Sequence, residues 1–152
     1  MMSKSVGLAL LVLAGVISSV TACSCIPQSE KDLFCKADFA IAFKAKDNGR
    51  VDCDTRVYQV ELLRMYRTVP FKNLDTDKIY TANDSAACGV TFTTGEFYVI
   101  SGRYNETAGQ PTRMQAHRCE LNLQMPYDPR LIYIPPNCDA PVPENGYGYL
   151  LQ

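Results

Sequence analysis

This sequence predicts a mainly β domain held together by disulfides. Three observations point there. Phe39, Ile41, Phe43 and Ala45 alternate with smaller or charged residues, the period-2 signature of a strand with one face buried. Further runs rich in Val, Ile, Tyr and Phe recur at short spacing with turn chemistry between them. Finally, a chain of 152 residues carries seven cysteines, all of them after an export-type leader. These patterns suit a barrel or a sandwich alike.

The leader comes first. Lys4 supplies a positive charge, and Val6 to Ile17 is twelve residues without a polar side chain. Val20-Thr21-Ala22 then places small residues where a signal peptidase reads, so residues 1–22 form a signal peptide cut after Ala22. A cut after Ser19 and a loose lipoprotein-type match at Val20 to Cys23 are the alternatives. The apolar run is too short for a membrane span, which needs about 20 residues. The mature chain is a single domain over 23–152, secreted and extracellular, and it begins with Cys23.

Composition narrows the function classes. Fifteen basic against sixteen acidic residues give a formal charge of -1, without the basic surplus of an electrostatic nucleic-acid binder. A single histidine, His117, rules out a histidine-rich metal site. The chain has no H-E-x-x-H and no G-x-S-x-G, and one imidazole to serve any triad. A cysteine protease pairing Cys53 with His117 is the one enzymatic arrangement available. The reading preferred is that the protein is not an enzyme, with His117 a strand or surface residue.

Along the mature chain, Ser29 is positioned to cap a short helix to Cys35, with Glu30 and Asp32 in its first turn. The strand over Phe39 to Ala45 follows, then turn residues Asp47-Asn48-Gly49. Arg56 to Tyr66 reads as a long strand, with a helix as the rival because Leu62, Leu63 and Met65 fit either period. Further strands are expected at Lys78–Thr81, Gly89–Phe92, Glu96–Ser101 and Thr112–His117. The tail holds Pro126, Pro129, Pro135, Pro136, Pro141 and Pro143, so it should be extended, with at most a short helix near Asp128 to Ile132. Asn83-Asp84-Ser85 and Asn105-Glu106-Thr107 are sequons that make Asn83 and Asn105 candidate glycosylation sites.

The new N-terminus carries the sharpest signal. Cys23 and Cys25, one residue apart, cannot readily bond to each other, so each should be tied to a different part of the fold. Two such bonds would hold a terminus, normally the most mobile part of a domain, as a rigid extended ridge. The plain alternative is that they only stabilise a small domain, by about 2–4 kcal/mol each.

Cys23-Ser24-Cys25-Ile26-Pro27 after a signal peptide, with Phe34-Cys35-Lys36-Ala37-Asp38 following, resembles the opening of the tissue inhibitors of metalloproteinases. The likeness continues through Tyr58-Gln59-Val60-Glu61, Met65-Tyr66-Arg67, Cys88-Gly89 and Phe97 to Gly102, and covers Cys23 to about Cys138. It implies a netrin-like module: an OB-like closed five-stranded Greek-key barrel with small flanking helices. It also selects one solution among seven choices of odd cysteine and fifteen pairings of the rest. That solution is Cys23–Cys88, Cys25–Cys119 and Cys35–Cys138, leaving Cys53 unpaired in a loop as an inert or capped thiol or as a bridge to a second chain.

The function implied is inhibition of zinc metalloproteases, of the matrix type or related. The free α-amine and carbonyl oxygen of Cys23 would chelate the target's catalytic zinc, displacing its water. An α-amine with a pKa near 7.7–8.0 yields its proton to a metal at modest cost. Ser24 would sit at the primed-side pocket, with Cys25, Ile26 and Pro27 along the groove and Ser85, Ala86 and Ala87 as a second strip. No cofactor of the protein's own is implied; the zinc belongs to the partner. Full-length vertebrate-type members carry a second, six-cysteine domain that this sequence lacks, so contacts made by that domain are expected to be missing. The alternative is a non-inhibitory netrin-type module that binds a receptor or an extracellular-matrix component.

Overall fold

The computed structural model describes residues 23–139; the signal-peptide reading of 1–22 and the end of the proline-rich tail lie outside them. Among the described residues the chain forms helix α1 (Glu30–Cys35), strands β1 (Phe39–Ala45), β2 (Arg50–Asp52), β3 (Thr55–Thr68), β4 (Leu74–Ala82), β5 (Phe97–Asn105), β6 (Thr112–Gln115) and β7 (Asn122–Met125), and helix α2 (Pro129–Ile132).

Hydrogen-bonded neighbours run β1-β3-β4-β6-β5, and β5 pairs back onto β1, with Ile41 opposite Ile100. That last ladder closes a five-stranded barrel of the OB type and settles the choice between barrel and sandwich. β4 and β6 are the parallel pair, with Ile79 opposite Met114; the other ladders are antiparallel. β2 and β7 are outriders on β3 and β5.

The long run after Thr55 is a strand because it serves two ladders. Its first half pairs with β2 and β4, and its second half pairs with β1 through two register shifts. Where β5 crosses β6, a Cβ on Gly102 would lie 2.3 Å from the Gln115 carbonyl oxygen, so glycine permits the close approach there.

The core is layered. Phe39, Ile41 and Phe43 point into the barrel with Tyr58, Val60, Ile79, Ile100 and Met114; each such side chain contributes about 1.5–3 kcal/mol by burial. The expectation that β1 is buried on one face only is corrected here. Ala40 and Ala42 on its outer face are also fully buried, beneath Phe34 of α1 and beside Val99 and Leu121. Small residues there let the helix lie close to the sheet. Ser29 caps α1 by accepting from the Asp32 amide at 3.0 Å, and Asp32 pairs with Lys36 at 2.8 Å. Tyr133, following α2, donates to Glu30 at 3.1 Å and so joins the two helices.

Two further expectations change. Gly89 to Phe92 is not a strand. The Val90 amide donates to the Thr81 hydroxyl at 3.0 Å instead of to a ladder, and Phe92 enters the barrel to meet Phe43, Tyr58 and Tyr98 with ring centroids 4.9–5.1 Å apart. The alternation of Val90 and Phe92 reflects that plug. The strand expected to reach His117 stops at Gln115. No helix among the described residues is long and apolar enough to cross a membrane.

Candidate functional site

Because β4 and β6 are parallel neighbours, the loops that follow them leave the barrel at the same end. The Ala116 amide still donates to the Tyr80 carbonyl at 2.8 Å, and beyond it Arg118 donates to the Cys88 carbonyl at 2.8 Å. These loops, 83–89 and 116–121, receive the N-terminal segment. Cys23 is bonded to Cys88 and Cys25 to Cys119, while Cys35 is bonded to Cys138 beside α1. Side chains two apart in an extended segment point the same way, so both sulfurs reach the barrel and Ser24 between them is exposed. Ile26 is 82% exposed and Pro27 is exposed beyond it.

The loop after β4 is built by one carboxylate-bearing residue. Asp84 accepts the Ala86 amide on its side chain at 2.8 Å, and its carbonyl accepts the amides of Ala87 and Gly89 at 3.2 and 3.0 Å. Ser85, Ala86 and Ala87 are thereby presented outward, all exposed. Cys88 closes the loop at φ +62°. A Cβ on Gly89 would meet the Ala82 carbonyl oxygen at 2.1 Å, so only glycine lets the chain return to the barrel.

The second loop is held by Asn122 and His117. The Asn122 amide nitrogen donates to the carbonyls of His117 and Glu120 at 3.0 and 2.8 Å, and its own oxygen is buried without a partner among the described residues. His117 lies in the turn rather than a strand, accepting the Cys119 amide on Nδ1 at 3.2 Å. Sequence reasoning missed Asp84, Arg118 and Asn122. Asp84 was hidden in a sequon, Arg118 acts through its backbone amide, and Asn122 donates from its side chain to loop carbonyls that no sequence pattern marks.

The sulfurs of Cys23, Cys25 and Cys119 lie within 4.8 Å of one another, as do those of Cys88 and Cys119 with a ring nitrogen of His117. Every one of these sulfurs is in a disulfide, so none is a thiolate for a metal. The donors left on Cys23 are its backbone nitrogen and carbonyl oxygen. The eight residues 23–27 and 85–87 carry no charged side chain. Such a surface can be covered without the cost of desolvating a charged side chain.

Cys53 is exposed and outside all three bonds, in the turn joining β2 to β3 at φ +52°. It opens on a groove of about 430 Å³ on the outer face of the barrel, with Tyr80 and Arg113. Asn83 is exposed, its oxygen accepting from Arg56 at 3.0 Å. Asn105 ends β5 opposite Arg113 and is exposed.

A closed barrel of this topology, with two small helices and a doubly stapled N-terminal segment, defines a netrin-like module. The family model for the tissue inhibitor of metalloproteinase matches residues 21–124, and the chain belongs to that family. It is similar to metalloproteinase inhibitor 2 of Rattus norvegicus, 36% identical over 109 residues covering 66% of this chain and 50% of the relative. The same protein of Homo sapiens is 35% identical over 107 residues, covering 63% and 47%. A tissue inhibitor of metalloproteinase of Drosophila melanogaster is 26% identical over 107 residues, covering 66% and 51%. The chain thus spans about half the length of the curated relatives it matches.

Proposed function

We propose that this protein is a secreted inhibitor of zinc metalloproteases that acts through the ridge beginning at Cys23. The observation that carries the reading is the double staple. Two disulfides one residue apart fix residues 23–27 against the barrel end, with Ser24 and Ile26 left exposed. Membership of the inhibitor family supports it.

With residues 1–22 removed, the α-amine and carbonyl oxygen of Cys23 would close a five-membered chelate on the target's zinc and take the place of the water that acts as nucleophile. Ser24 would then face the primed-side pocket, and Ile26 and Pro27 would follow the groove. Ser85 to Ala87 would line the other side. A ridge already held rigid loses little entropy on docking. It is not cut, because no peptide bond precedes Cys23.

The test compares the mature protein with a form carrying one alanine ahead of Cys23, against a panel of zinc endopeptidases. Potent inhibition by the first and its loss in the second are expected. Equal potency would overturn chelation by the amine. Inhibition by neither would favour a module that binds a receptor or matrix component.

A further inference from the structure

The two N-terminal disulfides touch. Cys23 Sγ and Cys119 Sγ, which belong to different bonds, are 3.9 Å apart, and the Cys25 sulfur lies within 4.8 Å of both. Of the four cysteines, Cys25 is exposed, while Cys23, Cys88 and Cys119 are half-buried. Attack by a thiolate on a disulfide needs access to one sulfur and expels the other as a thiolate. Here Cys25 is the residue open to solvent, and the thiolate expelled by attack on its sulfur would be Cys119, already in contact with a second disulfide.

We propose that this sulfur cluster is a thiol–disulfide exchange site that rewires the ridge. An external thiolate of the glutathione class attacks Cys25 Sγ; the Cys25–Cys119 bond breaks, and its electron pair leaves on Cys119. The Cys119 thiolate attacks Cys23 Sγ, forming Cys23–Cys119 and expelling Cys88 as a thiolate. At this stage Cys25 carries the external thiol as a mixed disulfide. Attack by Cys88 on that mixed disulfide returns the external thiol and leaves Cys25–Cys88. The full cycle is an isomerisation without net oxidation or reduction, and the thiol acts as its catalyst.

The consequence for function rests on the inhibitory reading above. Cys23 would occupy the anchor that now holds Cys25, a slip of two residues or about 7 Å along an extended chain. That removes the amine from its place and, until Cys25–Cys88 forms, frees the Ser85–Ala87 loop from the N-terminus. The sequence separations of the two native bonds, 65 and 94 residues, gave no sign that they meet.

The experiment uses the secreted protein with Cys53→Ser, so that its exposed thiol takes no part. The protein is incubated in a glutathione buffer, quenched in acid, alkylated and digested. A peptide joining Cys23 to Cys119 is expected before Cys35–Cys138 opens, with Cys88 either alkylated, from the mixed-disulfide stage, or joined to Cys25. Inhibition should fall by at least about tenfold in the rewired fraction, or roughly 1.4 kcal/mol. Opening of Cys25–Cys119 with no Cys23–Cys119 peptide would overturn the exchange. If that peptide forms and inhibition is unchanged, the exchange stands and the inhibitory reading of the ridge fails. A second variant, Cys25→Ser, leaves Cys119 free beside Cys23–Cys88 and should rearrange to Cys23–Cys119 with no added thiol. Its keeping Cys23–Cys88 intact would also count against the proposal.

Discussion

The backbone amide of Arg118 donates to the carbonyl of Cys88 across 2.8 Å, and this bond ties together the two loops that receive the N-terminal disulfides. Neither side chain makes it, so the bond depends on the shape of the 116–121 turn. Asn122 sets that shape by donating to two of the turn's carbonyls.

Replacing Asn122 with alanine should therefore loosen the ridge without touching it. Two hydrogen bonds are lost, for a cost of about 1–2 kcal/mol that a urea midpoint will register. Under the inhibitory reading, complexes with a zinc endopeptidase should dissociate several-fold faster while association changes little. An unchanged dissociation rate would show that the turn does not govern the ridge.

Gly89→Ala probes the other loop. Its Cβ would be forced against the Ala82 carbonyl, so the loop must shift, at a cost of about 1–3 kcal/mol. Because Cys88 is the adjacent residue, the same shift should lower the yield of the Cys23–Cys88 bond, read by disulfide mapping of the purified protein.

Tyr133 makes stability fall on the alkaline side. Burial, then the neighbouring carboxylate of Glu30, hold its hydroxyl well above the ordinary tyrosine value of 10.0. Below that value the group is neutral folded or unfolded. As pH rises through it, the unfolded chain loses the proton first, and stability declines with each step upward. Urea midpoints from pH 8 to 11 should show the decline beginning near pH 10, and Tyr133→Phe should lessen it, burial of Tyr66, Tyr80 and Tyr104 supplying the rest.

Cys53 sits in the left-handed backbone region, where asparagine or glycine is at home. Cys53→Asn should stabilise the domain by about 0.5–1 kcal/mol and abolish labelling by a thiol reagent in the native state. No change in the urea midpoint would mean that the turn carries no strain.

How far the sequence exposed this arrangement differs by element. Phe39 to Ala45 was legible as a strand because its alternation is strong. The burial of its outer face was not, because that depends on where α1 lands. Gly89 to Phe92 imitated a strand, since an apolar plug and a half-buried strand leave the same alternation. Arg50–Asp52 and Asn122–Met125, only three and four residues long, are too short for periodicity to register. At the site, Cys23 and Cys25 stood out by spacing and by likeness to a family. Asp84 and Asn122 did not, because each fixes backbone only two to five residues away, and such local loop bonds leave no periodic pattern in the sequence.

The three disulfides span 65, 94 and 103 residues, so each joins the segment from Cys23 to Cys35 to a part made much later. Ordering so long a loop is costly until other contacts bring its ends together, and the closed barrel supplies those contacts. The segment from Cys23 to Cys35 is thus tied down only after much of the chain that follows it has been made. An incompletely folded molecule would have no ordered ridge, so the ridge is itself a report that folding has finished.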